Sequence, residues 1–145
     1  MKLRPILVSL CILIGLASCQ ASDNQETSRT YSAKANEDIP QHLAEEAKRT
    51  VVSMERVDDA VSVVLDENVY VAINVNGFDR FFLKEIRKEA KEKLKKAIPG
   101  GKIEVSTDKK IDIELTEIEQ ALQRGELSKK DLKKKIKKVK EDLKG

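Results

Sequence analysis

Tryptophan is absent from this chain, histidine occurs once, cysteine twice, and aromatic residues fill only 3% of its 145 positions. Each shortage excludes something. One imidazole and two thiols leave little material for a metal centre or for a nucleophile paired with a base. With so few aromatics, a core has to be built from Val, Ile, Leu and Ala, and single-stranded nucleic acid finds few rings to stack on. The chain is nevertheless 40% hydrophobic and 37% charged, so composition does not make it disordered, and its length suits one domain of ordinary size. Twenty-eight basic residues nearly balance 25 acidic ones, and the net charge of +3 alone argues for no nucleic-acid partner.

The first eighteen residues read as a targeting segment. Lys2 and Arg4 form a positive start, and residues 6–16 are an apolar stretch of eleven. That is well short of the roughly 20 residues a helix needs to cross a bilayer, and suits the hydrophobic region of a signal peptide. Leu16-Ala17-Ser18-Cys19 follows, a branched apolar residue, two small ones and a cysteine, which is the lipobox pattern. Small residues admit the backbone to the lipoprotein signal peptidase, and the Cys19 thiol accepts a diacylglyceryl group. Two acyl chains anchor stably where one binds marginally, at about 0.8 kcal/mol per buried methylene. The alternative is an ordinary secreted protein in which Cys19 merely follows small residues. Cys11 falls in the discarded segment, so the mature chain keeps no pair of cysteines for a disulfide.

Residues 20–36 are rich in Ser, Thr, Asn, Gln, Asp and Glu and read as a tether, with a root-mean-square reach of roughly 20 to 25 Å. The folded part is expected to begin near Asp38, which can cap a helix with Gln41 completing a capping box. Leu43, Ala47, Val51 and Met54 give that helix an apolar face, ending near Arg56. Residues 57–65 and 69–75 alternate as two strands about the turn Asp66-Glu67-Asn68, a hairpin. Asp79 is a candidate cap for the next helix, with Phe78 stapled to Leu83; Phe81 and Phe82 are assigned with it to the core. Leu83, Ile86, Ala90, Leu94 and Ala97 line one face, Pro99-Gly100-Gly101 stops the helix, and residues 102–106 alternate as a third strand.

The fold class expected is α+β: a small sheet of about three strands, antiparallel or mixed, with helices on one face, in the order helix, strand, strand, helix, strand. A C-terminal helical hairpin follows. Its stripes are Ile111, Leu115, Ile118, Leu122 and Leu132, Ile136, Val139, Leu143, with Thr107 or Asp108 and then Ser128 as caps. The boundaries implied are 1–18 signal peptide, 19–36 lipidated cysteine and tether, 37–108 α+β domain, and 109–145 hairpin.

Residues 128–145 carry nine lysines against Asp131, Glu141 and Asp142, a net of +6. Removing this and the two charges of the signal from +3 leaves −5 for residues 19–127, so the small total conceals a basic helix on an acidic body. Lys129, Lys130, Lys133, Lys134, Lys137 and Lys138 are candidates for contact with anionic lipid or wall polymer, since each lysine reaching an anionic membrane contributes about 1 kcal/mol. The plainer reading is a solvated face on a helix that packs inward.

No catalytic constellation emerges. His42 has Glu45 and Glu46 one turn on but no second imidazole, Asp58, Asp59, Asp66 and Glu67 do not match a calcium loop, and no glycine-rich phosphate loop or triad is present. The expectation is a non-enzyme without catalytic residues, metal or other cofactor.

Val57-Asp58-Asp59-Ala60, Val63-Val64-Leu65, Tyr70-Val71-Ala72-Ile73-Asn74-Val75, Asp79-Arg80 and Val105-Ser106-Thr107-Asp108, in that order and spacing, resemble the YhcN/YlaJ sporulation lipoprotein family. The likeness covers about residues 38–125 and weakens through the tail. It implies a lipoprotein of endospore-forming Gram-positive bacteria, associated with the spore or its membranes, with a part in germination or outgrowth. No catalytic residue comes with it, and only Cys19 carries over, as the lipidated residue. The expectation is therefore a lipid-anchored interaction domain on the outer face of the cell membrane or in the spore membrane, with no nucleic-acid partner. A wall- or lipid-binding module acting through the basic helix is the main rival. An accessory or inhibitor of an exported enzyme, with one protein partner, is the third reading.

Overall fold

A computed structural model describes Ile39 and residues 41–144. The elements run α1 (His42–Val52), β1 (Asp59–Leu65), β2 (Asn68–Asn74), a 3-10 turn (Gly77–Phe82), α2 (Leu83–Ala97), β3 (Lys102–Ser106), α3 (Lys109–Gln123) and α4 (Lys129–Asp142). The strands form one mixed sheet in the order β1-β2-β3, with β1 antiparallel to β2 and β2 parallel to β3. A parallel neighbour cannot be reached by a tight turn, and α2 provides the crossover between β2 and β3.

The α+β class and the element order are those expected. The helices α1 and α2 pack on one face of the sheet, where Ala47, Val51, Ile86, Ala90 and Leu94 meet Val64, Val69, Val71 and Ile73. The C-terminal hairpin closes the opposite face, where Ile111, Leu115, Ile118, Leu132, Ile136 and Val139 meet Val61, Val63, Tyr70 and Ala72. Both faces of β1 and β2 are therefore dry, which is why their sequences are almost unbroken runs of apolar residues. Among the buried hydrophobic residues described, Tyr70 is the one aromatic, as the scarcity of aromatics requires.

Local chemistry sets the ends of the elements. The Asp108 carboxylate accepts the N–H groups of Lys110 (2.7 Å) and Ile111 (3.4 Å) at the start of α3, and Ser128 Oγ accepts that of Asp131 (3.1 Å) at the start of α4. Gly125, at φ +68°, closes α3: its N–H donates to Leu122 O and that of Glu126 to Ala121 O, a Schellman pair that satisfies two terminal carbonyls. Asp66 takes φ +54° in the short loop between β1 and β2, a conformation that Asp tolerates better than most residues.

Two expected details differ. The first helix ends at Val52 rather than near Arg56, and the chain turns through residues 53–58 before β1. Gln41 forms no cap bond; its carboxamide is spent on the backbone of Val64, while Asp38 and Pro40 lie outside the described residues. The other difference lies at residues 77–82. Gly77, at φ +53°, throws the chain into a 3-10 turn, so α2 starts only at Leu83 and Asp79 caps nothing. Phe78 is 87% exposed and Phe81 82%, so neither a staple nor a core position is realised.

The free edge of β1 is covered. Ile39 is buried in the α3/α4 core and the apolar face of α1 in the other, and Gln41 lies at that edge with its carboxamide on the Val64 backbone. Lys48 of α1 and Glu119 of α3 join the two helical layers by an ion pair of 3.4 Å. Edge strands left bare are templates for pairing with other chains.

Candidate functional surfaces

Among the described residues no cluster of three or more His, Cys, Asp or Glu could hold a metal ion, and no helix is long and apolar enough to cross a membrane. His42 is the exposed first residue of α1. The Asp59 carboxylate accepts the Ala60 N–H at 2.8 Å, a turn role. Cys19 lies outside the described residues. The features that remain are surfaces.

The first is the outer face of α4. Leu132, Ile136 and Val139 are at most 1% exposed, so the apolar stripe packs inward, and every lysine from Lys129 to Lys140 points to solvent. The six candidates divide by partner. Lys138 Nζ donates to Glu114 Oε1 at 2.6 Å, which raises the lysine pKa above its usual 10.5. Lys129 lies 3.7 Å from Asp66. Lys130, Lys133, Lys134 and Lys137, with Lys135 beside them, have no carboxylate within ion-pair distance among the described residues. The helix thus packs and also presents cations that the acidic body does not neutralise. A shallow cleft beside it is lined by Glu114, Glu117, Ile118, Lys135, Lys138 and Val139.

The α3/α4 contact is held by charge where the start of α3 meets the end of α4. Lys110 Nζ meets Asp142 Oδ1 at 2.7 Å, and this hydrogen bond holds the Asp142 carboxyl below its usual 3.8. Asp112, 7% exposed, accepts from Asn74 Nδ2 at 3.1 Å and from Lys109, tying the first turn of α3 to the end of β2. At the β1 edge, burial raises the pKa of Glu119 while Lys48 opposes the shift.

The second surface is the 3-10 turn. Phe78, Phe81 and Phe82 all face solvent, followed on α2 by exposed Lys84, Arg87 and Lys88. Sequence reasoning missed it because aromatic residues beside a helix start resemble a staple. The one available signal was the glycine at 77, which permits the turn that carries the rings outward.

What these features define is a three-layer α+β domain with cationic and aromatic surfaces. The sporulation lipoprotein YhcN/YlaJ family model matches residues 17–144, nearly the whole chain and inclusive of Cys19, and the chain belongs to that family. Comparison with curated proteins and with solved structures returned no match.

Proposed function

We propose that this lipoprotein is anchored through a diacylglyceryl group on Cys19 to the extracytoplasmic face of the cell or spore membrane, and that its folded domain acts by association, without catalysis, in germination or outgrowth. The observation that carries the anchor is Leu16-Ala17-Ser18-Cys19 after an apolar segment, with Ala17, Ser18 and Cys19 inside the span matched by a sporulation lipoprotein family. Intact-mass analysis of protein extracted from membranes should show a lipid adduct on Cys19, and a freely soluble, unmodified chain would refute the anchor. Expression confined to vegetative cells would refute the spore assignment.

A second reading is favoured by the unpaired lysines of α4: this face holds anionic wall polymer or lipid. Deleting residues 128–145 does not test it, because the deletion strips Leu132, Ile136 and Val139 from the core. Replacing the exposed lysines does.

A further inference from the structure

The largest apolar side chains that the described domain shows to solvent are three phenylalanines on one short turn, with Phe78 87%, Phe81 82% and Phe82 49% exposed. We propose that the turn Gly77–Phe82 is a wedge that inserts into the bilayer and seats the domain on the membrane holding its anchor; the proposal rests on the lipid anchoring argued above.

In a 3-10 helix three residues make a turn, so Phe78 and Phe81 lie above one another and Phe82 adjoins them. The fold does not need these rings. Val75 and Ile86, 7% and 0% exposed, already close the core on either side of the turn. Contiguous exposed apolar residues mark an interaction surface, and aromatic rings beside cations are the pattern by which a protein lies in the headgroup region. The cations are present: residues 78–88 hold Arg80, Lys84, Arg87 and Lys88 against Asp79 and Glu85, a net of +2 that complements anionic headgroups.

The tether has the length this requires. The folded chain is entered at Gln41, whose side chain is bonded to Val64 at one end of the sheet, whereas the phenylalanine turn follows Asn74 at the other. A seven-residue strand is roughly 23 Å long, so with the turn at the membrane the entry to the folded chain stands about that far from the surface. Twenty peptide bonds separate Ile39 from Cys19. For a polar chain of that length the root-mean-square span is roughly 22 to 27 Å, and the fully extended limit about 70 Å. Matching of linker length to the distance spanned gives the highest effective concentration of a second contact, so three rings suffice where an untethered domain would need more.

The chain has no tryptophan, so Phe81→Trp places a single reporter in the turn. The lipidated full-length protein, reconstituted in vesicles of equal parts phosphatidylcholine and phosphatidylglycerol, should emit at shorter wavelength than in lipid-free solution. It should also lose intensity when the acyl chains are brominated, and Phe78→Ser with Phe82→Ser should abolish both effects. Lys134→Trp on α4 is the comparison reporter. Emission from Phe81→Trp unaffected by brominated lipid overturns the proposal, whether Lys134→Trp is quenched instead, which assigns the lipid surface to α4, or neither is. Quenching that survives the two serine substitutions overturns it as mere proximity. A blue shift that depends on protein concentration and ignores brominated lipid overturns it in favour of a second copy. Vesicles that float without the protein remove the anchor itself, an outcome distinct from flotation without quenching.

Discussion

The carboxamide of Gln41 completes both backbone hydrogen bonds of Val64: Nε2 donates to the carbonyl at 2.9 Å, and the Val64 N–H donates to Oε1 at 3.0 Å. Val64 sits on the free side of β1, where no strand follows, so one side chain stands in for a neighbouring strand at that position. Gln41 immediately precedes α1, and the bond therefore also sets where that helix docks.

Gln41→Ala should leave a donor and an acceptor at the sheet edge without these partners. With each lost hydrogen bond worth about 1 kcal/mol net, the expected loss is about 1 to 3 kcal/mol in chemical denaturation. Gln41→Glu keeps the acceptor and loses the donor, and should fall between. A second effect follows from the bared edge: the alanine variant should self-associate more readily on partial unfolding, which light scattering during a thermal ramp would register. A stability unchanged by Gln41→Ala would mean that water replaces the amide at no cost.

Packing and charge on α4 can be separated by substitution. Leu132 and Ile136 are 0% and 1% exposed between α3 and the sheet, and truncating either to Ala should cost about 2 to 5 kcal/mol, because the cavity closes only partly. Lys133→Gln and Lys134→Gln remove exposed charges without ion-pair partners and should shift stability by no more than about 0.5 kcal/mol. Equal effects from the two sets would show that α4 is not part of the folded core.

Two carboxylates should give the pH dependence opposite slopes. Asp142, held below 3.8 by Lys110, binds its proton at higher pH in the unfolded chain than in the folded one. Its contribution is whole above pH 3.8 and is lost as pH falls through the lower folded value, so acid should loosen the end of α4 first. Hydrogen exchange at residues 139–142 should report it, and Lys110→Gln should remove the effect. Glu119 behaves in the other sense: burial raises its pKa above 4.5, so the folded chain keeps that proton longer and the group's contribution declines as pH rises from 4.5 through the folded value. Glu119→Gln should flatten this decline and leave neutral-pH stability equal or higher by up to about 1 kcal/mol. Lys48→Met should steepen it. The same slope in all three proteins would show that Glu119 is solvated.

The parts of the fold that were legible in the sequence are those governed by neighbours along the chain. The stripe Leu132, Ile136, Val139 and the caps Asp108 and Ser128 act within a few residues, and each is found where periodicity and capping chemistry put it. The second covered face was harder to read. Ser62 in the middle of β1 suggests a polar outer face, yet it is 2% exposed on the side it shares with Ala60 and Val64, which α1 and α2 cover, while Val61, Val63 and Leu65 on the other side are buried by the C-terminal hairpin. What decides that is the packing of α3 and α4 from more than forty positions away, on which local alternation is silent. The Gln41–Val64 bond spans 23 positions and leaves no local trace either. The phenylalanines mislead for another reason. A staple presumes that the helix begins just after Phe78, and the left-handed Gly77 inserts a 3-10 turn that moves the start to Leu83. Of the candidate site, the lysines were legible as a count, but which of them are free depends on Glu114 and Asp66, on other elements.

That distinction among the lysines leads to the functional prediction about α4. Lys130, Lys133, Lys134 and Lys137 face solvent with no carboxylate in ion-pair reach among the described residues, whereas Lys138 is engaged by Glu114 at 2.6 Å. If the free set holds anionic polymer or lipid, changing those four residues to Gln should weaken retention of the detergent-solubilised full-length protein on purified cell wall or anionic vesicles. The loss should reach at most about 4 kcal/mol at low salt, near 1 kcal/mol per lysine. It should vanish as salt rises, since screening shortens to about 3 Å at 1 M and the parent protein then loses the same contacts. Lys138→Gln should change retention least, because its charge is already matched, and should instead weaken the α3/α4 contact. Retention that is equal for the parent and the fourfold variant at every salt concentration would reduce the basic face of α4 to a solubilising surface and leave the lipid anchor as the protein's hold on its membrane.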